Sequence, residues 1–151
     1  MMAFHMMGQN ARRKILPDAL KNGVGTLLMF VVRNILSQPD YLRATMKALA
    51  TEGKVPSALA ESENPLEFLV HEGGASSVID TAYRFARHEK GADVILFGTG
   101  NADHLKSNTQ SILSPPLPAQ DVQKLYGLFG HLEGVGLDHS KTAAGGGRRT
   151  P

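Results

Sequence analysis

The pattern most able to do chemistry is a glycine-rich turn between a predicted strand and a predicted helix. The stretch Gly98-Thr99-Gly100-Asn101 follows the apolar residues 93–97 and leads into a helical pattern over residues 102–113. Glycines let a backbone approach a ligand closely, and the first amides of a helix point at such a turn with the positive end of the helix dipole behind them. The turn therefore predicts an anion-binding site. A tight turn with an asparagine cap and no ligand fits the same residues equally well.

Two polar side chains of the following helix extend this candidate site. His104 and Asn108 are four residues apart, which places them on one face near the start of the helix. A phosphate or the edge of an adenine is the ligand chemistry that they suit. The GxxxxGK[ST] spacing of a P-loop is absent, and Gly-Thr-Gly is not the GxGxxG pattern, so neither of those motifs applies.

The other residue types that often carry catalysis show no comparable pattern. Tyr41, Tyr83 and Tyr126 lie inside helical patterns and are predicted to be core or surface residues. Five histidines are expected to have neither a paired carboxylate nor the HExxH ligand spacing; they are His5, His71, His88, His131 and His139. We therefore predict no catalytic residue and no metal site in this chain.

The composition excludes several classes of function. None of the 151 residues is a cysteine, which excludes disulfides, thiolate zinc sites, iron–sulfur clusters and thiol nucleophiles. A cysteine-free chain fits a reducing compartment, so we predict a cytoplasmic location. A mitochondrial presequence is the alternative for the first residues, because Arg12, Arg13 and Lys14 occur there without an acid.

Charge and hydropathy limit the classes of partner that we expect for this chain. The formal charge is only +2, with 16 basic residues scattered among 14 acidic ones, so no nucleic-acid partner is expected. The longest apolar run, residues 24–32, is much shorter than the roughly 20 residues that a membrane helix needs. We therefore expect no membrane partner.

The elements that must position the turn alternate along the chain. Apolar runs at residues 3–7, 24–32 and 93–97 predict strands, and helical patterns lie between and after them. Strands that are apolar on both faces favour an α/β fold with a parallel sheet, but three strands make an incomplete sheet.

Residues 54–74 form a long acidic excursion, interpreted as a solvated loop or alternatively as a lid. We predict a domain over residues 1–130 and a disordered Gly-rich tail over residues 131–151.

An ordered set of motifs resembles the aldo/keto reductase family. The run AYRFARHEKGADVILFGTGNADHLKSNTQSILSPPLPAQDVQKL is similar to the end of that family's barrel: a helix, the eighth strand, a GTxN turn, a helix with HLxxN, and a Pro-rich link to a last helix. The run FHMMGQNARRKILPDALKNGVGTLLMFVVR resembles the sixth strand, sixth helix and seventh strand. The resemblance implies the C-terminal half of a TIM (β/α)8 barrel and an NADPH-dependent oxidoreductase that transfers hydride to or from a small carbonyl or sugar-like substrate.

The resemblance also assigns roles to individual residues. It implies that Gly98, Thr99, Gly100 and Asn101 surround the ribose and 2′-phosphate of NADP+. His104 stands where a more strongly basic or an amide residue often sits, which weakens the case for NADP over NAD. Two further contacts follow: Asn108 would meet the adenine, and Phe4 would stack on the nicotinamide ring.

The family's catalytic Asp, Tyr, Lys and His lie on strands that precede everything present here. This chain alone is therefore expected to be inactive, because hydride transfer to a carbonyl needs a proton donor. It would be a fragment of a longer product, one half of a split enzyme completed by a chain that supplies the first half of the barrel, or a truncated relative. A non-catalytic nucleotide-binding module that self-associates, for instance as a dimer, is the alternative.

Overall fold

A computed structural model of the chain describes residues 1–136. The fold is mixed α/β, with a three-stranded parallel sheet in the order β1-β2-β3 and helices beside it. The strands are β1 (Met2–Ala3), β2 (Leu27–Met29) and β3 (Val94–Ile95). The predicted α/β class and parallel sheet are thus confirmed. The strands are shorter than the apolar runs that predict them, because apolar residues mark burial whereas a ladder also needs a paired neighbour.

Eight α-helices and one 3-10 turn are present in the described part of the chain. They are α1 (Asn10–Arg13), α2 (Ile15–Lys21), α3 (Asn34–Ser37), α4 (Pro39–Thr51), α5 (Ser57–Glu61), the 3-10 turn Glu67–Leu69, α6 (Val78–Arg87), α7 (Ala102–Leu113) and α8 (Ala119–Phe129). None of these helices is long and apolar enough to cross a membrane.

Helix boundaries follow local signals where these are strong. The sequence Ser76-Ser77 before an apolar helical pattern predicts that one of these serines caps the helix, and Ser77 does so by accepting a hydrogen bond from the Asp80 amide at the start of α6. The sequence Ser37-Gln38-Pro39 likewise predicts a cap at Ser37, but Ser37 is the last residue of α3, and Gln38 precedes α4 with no side-chain cap. Pro39 takes the first helical position of α4, where its missing N–H costs nothing.

The two faces of the sheet differ in burial. Leu28 is fully buried beneath the helices, and the Phe4 ring stacks on Phe85 of α6 with ring centroids 5.8 Å apart. On the opposite face Leu27 pairs in register with Val94, and these side chains are 39% and 45% exposed. Leu96 continues that face at 37% exposure. One face of the sheet is therefore the core, and the other presents apolar side chains to solvent.

The C-terminal residues of the described region pack on the domain. Leu132 is buried, and the carbonyl oxygen of Val135 lies 3.1 Å from Nε2 of His5. The first six residues of the predicted Gly-rich tail are thus part of the packed unit. The rest of that tail, with His139, lies outside the described residues.

Candidate functional site

A cavity of about 860 Å³ lies at the carboxyl ends of β2 and β3. Phe30 and Val31, which follow β2, form one side, and Phe97 and Gly98, which follow β3, form another. Side chains of α6 and α7 complete the walls. Ligand sites of parallel α/β folds lie at this end of the strands, because the loops there are free to vary while the sheet holds them in place.

Four of the seven sequence-predicted site residues line this cavity. They are Gly98, Thr99, His104 and Asn108. The first two come from the turn after β3 and the others from one face of α7, as their spacing of four predicts. A Cβ added at Gly98 would meet no protein atom within 4 Å, so this glycine leaves open space on the cavity side.

Gly100 and Asn101 shape the turn without lining the cavity. The Asn101 side chain accepts hydrogen bonds from the amides of Asp103 (2.8 Å) and His104 (3.2 Å), so it serves as the N-cap of α7. The Thr99 hydroxyl oxygen in turn accepts from the Asn101 amide at 3.1 Å. The turn therefore satisfies these three amides with its own side chains.

Phe4 lies apart from the cavity. Its ring is fully buried and stacks on Phe85 in the core, so it offers no face to a nicotinamide. Phe4 follows β1, which ends at Ala3, and the chain then turns through a bridge between His5 and Gly8. In this arrangement Phe4 is a core residue, and we leave it out of the candidate site.

The most strongly bonded polar group of the cavity wall is Asp80 of α6. Its carboxylate accepts from the amide and hydroxyl of Ser76 at 2.9 and 3.2 Å and lies 3.3 Å from the Arg84 guanidinium. Burial of Asp80 opposes ionisation, but hydrogen bonds from Ser76 and Ser111 together with the Arg84 charge outweigh it and hold the pKa of this carboxyl below its ordinary value. The cavity thus has a fixed negative charge in its wall.

The backbone of Phe30 is strained at the cavity. Its φ of 66° lies in the left-handed region, which side chains other than glycine and asparagine adopt rarely. The Arg33 guanidinium lies 4.3 Å above the ring, at a distance suited to a cation–π contact. Such strain costs about 1–3 kcal/mol and is concentrated at ligand sites, in keeping with the position of Phe30 beside the cavity.

One histidine has a partner that the sequence analysis did not find. His71 Nε2 lies 2.9 Å from Oδ2 of the buried Asp121, and Nδ1 lies 2.9 Å from the carbonyl oxygen of Glu72. The expectation that no histidine has a paired carboxylate is therefore wrong for His71. Fifty positions separate the two residues, so no local spacing could have indicated the pair.

The surroundings of His71 favour its charged form. The Glu72 carbonyl and the Asp121 carboxylate accept hydrogen bonds from the two ring nitrogens and so raise the pKa of this imidazole. No ring nitrogen is left to act as a base. Gly74 makes room for the ring, because a Cβ there would lie 2.8 Å from it. This pair lies outside the cavity lining and joins the excursion to α8.

His5 is a structural residue of the core. Its Nδ1 accepts from the Met7 amide at 3.3 Å, and Nε2 faces the Val135 carbonyl. Burial lowers its pKa to about 4. No group of three or more metal-ligating side chains occurs within residues 1–136.

Neither a scan against protein-family models nor a search of curated proteins found a match for this chain. The functional assignment therefore depends on the site itself.

Proposed function

We propose that this chain is the cofactor-binding half of an aldo/keto reductase-like barrel. In this proposal the cavity at the ends of β2 and β3 holds the adenosine part of a nicotinamide dinucleotide, which the family resemblance implies to be NADPH. One observation supports this most: the turn and the helix face selected by the resemblance, Gly98, Thr99, His104 and Asn108, line one common cavity. Its volume lies in the 300–1,000 Å³ range of small-molecule sites.

Four residues of the turn and of α7 have distinct roles in the proposal. Gly98 leaves space for the ribose to approach the backbone, and the Thr99 hydroxyl lies beside it. Asn108 offers both a donor and an acceptor, which is what an adenine edge requires. Asn101 holds α7 in position through its cap rather than by touching the ligand.

The chemistry would be hydride transfer between the nicotinamide and a small carbonyl or sugar-like substrate. A proton donor is needed where charge develops on the carbonyl oxygen, and we assign no residue of this chain to that task. We therefore propose that a chain carrying the first half of the barrel supplies it. Alone, this chain should show no NADPH-dependent reduction of aldehydes.

Calorimetric titration with 5′-AMP, which represents the adenosine half of either dinucleotide, tests the site directly. A Cβ at Gly98 meets no protein atom within 4 Å and Gly98 lines the cavity, so we expect Gly98→Val to lose at least tenfold in affinity by obstructing the cavity and to keep its melting temperature. Gly25→Val is the matched control, because a Cβ at Gly25 also meets nothing within 4 Å and this residue lies at the opposite end of β2. Equal affinities of both variants and the wild type would refute the proposed site.

A further inference from the structure

The cavity is rich in hydroxyl groups and poor in positive charge. Among the described residues that line it, none is Lys or Arg. Its polar wall instead includes the hydroxyls of Ser76, Ser77, Ser107 and Ser111 and the ionised carboxylate of Asp80. Ser77 accepts from the Asp80 amide and Ser107 donates to the His104 carbonyl, but a hydroxyl both donates and accepts, so each keeps a further bonding capacity that suits a neutral, hydroxyl-bearing ligand.

The cations near the cavity are engaged by other groups. The Arg84 guanidinium donates to the carbonyl oxygens of Gly74 (2.9 Å), Pro115 (2.8 Å) and Pro116 (3.1 Å), and it also pairs with Asp80. The Arg33 guanidinium lies over the Phe30 ring. A ligand phosphate would have to compete with these contacts for either charge.

The start of α7 offers little to an anion. The amides of Asn101, Asp103 and His104 bond to the side chains of Thr99 and Asn101, as described above. Asp103 adds a negative charge in the first turn. His104 supplies the one imidazole of the cavity lining within residues 1–136.

We propose that this cavity selects an adenosine whose ribose 2′-hydroxyl is free, so that the chain binds NAD(H) in preference to NADP(H). This inference rests on the proposed function and specifies its cofactor, against the NADPH that the family resemblance implies. A phosphate monoester carries about −1.5 to −2 charges at neutral pH. No lysine or arginine among the described residues lines the cavity to neutralise it, and the carboxylate of Asp80, which is already paired with Arg84, lies in the same wall. A free ribose 2′-hydroxyl carries no charge that needs a cation, and it can hydrogen-bond to the serine hydroxyls that line the cavity.

The experiment is calorimetry on the full chain with two ligand pairs, NAD+ against NADP+ and 5′-AMP against 2′,5′-ADP. The second pair probes the adenosine end alone. We expect the ligand without a 2′-phosphate to bind at least tenfold more tightly in each pair. His104→Arg should reverse or abolish that preference, because it places a guanidinium in the cavity. Lys106→Arg is the matched control, since Lys106 lies on the same helix outside the lining, and it should leave the preference unchanged.

The outcomes separate the two proposals. If NADP+ binds at least as tightly as NAD+, and 2′,5′-ADP at least as tightly as 5′-AMP, the inference of an NAD preference is overturned while the proposed nucleotide site stands. If no adenosine ligand binds, the proposed function fails and the inference falls with it. His104 is exposed, so a folding defect of its variant is not expected, and a melting curve of each variant checks this.

Discussion

Arg84 is the single residue that joins the most parts of this fold. Its side chain is 10% exposed and bonds at once to the loop before α6, to Asp80 one turn away, and to the proline link after α7. A planar guanidinium suits this role because it offers five donors in fixed directions. Arg84 therefore holds two walls of the cavity together without lining it.

Arg84→Met should destabilise the chain strongly. The substitution keeps much of the apolar stem but leaves a buried carboxylate and three carbonyl oxygens without this donor. Removing one partner of a buried ion pair typically costs about 3–5 kcal/mol of unfolding free energy. Urea unfolding measures the loss. Arg87→Met on the exposed side of the same helix should change stability by no more than about 0.5 kcal/mol, and similar losses in the two variants would contradict the assigned role.

At the scale of elements, the contact between His71 and Asp121 joins the excursion of residues 54–74 to α8. Asp121 lies in the first turn of that helix and is buried, whereas the His71 side chain is partly exposed. Lys124, one turn further along α8, is the other charge that acts on His71 and opposes its protonation. The C-terminal end of the excursion is therefore held against α8 by a contact whose strength depends on whether the His71 imidazole is charged.

The contribution of His71 to stability should depend on pH. Its pKa is raised in the folded chain, so the contribution is fully present below the unfolded value of about 6.5 and is lost as pH rises through the folded pKa. The difference in unfolding free energy between the wild type and His71→Gln should be larger at pH 5.5 than at pH 8.5. Taking this difference cancels the titration of His5, which both proteins share.

Asp121→Asn provides the control for this pH effect. In that background the carboxylate is absent while the bond to the Glu72 carbonyl remains, so the difference made by His71→Gln should change less between the two pH values than it does with Asp121 present. Denaturant unfolding of the four proteins at each pH forms a double-mutant cycle. A difference that is constant with pH in the protein that retains Asp121 would show that folding does not raise the pKa of His71.

At the scale of the whole molecule, the open sheet face is the main feature. Leu27, Val94 and Leu96 lie side by side there through the register of β2 and β3, and both edge strands lack a second neighbour among the described residues. Buried apolar surface contributes roughly 25 cal/mol per Å², so a surface of this kind lowers stability while it faces water. Half of a barrel would have such a face.

We expect the isolated chain either to dimerise or to be a weakly cooperative, dye-binding monomer. Leu27→Lys combined with Leu96→Lys should abolish dimerisation or dye binding, because a charged side chain is costly to bury in an apolar interface. Sedimentation velocity, dye fluorescence and thermal melting follow these changes. A sharply melting wild-type monomer that binds no dye would contradict the half-barrel proposal and favour a self-sufficient three-stranded fold.

Local sequence signals predicted the parts of this protein that depend on a few neighbouring residues. The helical pattern over residues 102–113 has the bounds of α7, and the serine pair before α6 supplies its N-cap, because caps act within one helical turn. The spacing of His104 and Asn108 likewise places both on the cavity wall. The class of the fold followed from the alternation of apolar runs and helical patterns.

Contacts between distant residues were decided only by the tertiary structure. The true lengths of the strands, the burial of Phe4 against Phe85 and the pair formed by His71 and Asp121 all depend on segments that lie far apart in the chain. The open face of the sheet was also decided by the tertiary structure. A run that is apolar on both faces of the strand has the same sequence pattern whether one face or both faces are covered. The physical reason is that periodicity reports how a segment is built, whereas burial and pairing depend on what packs against it.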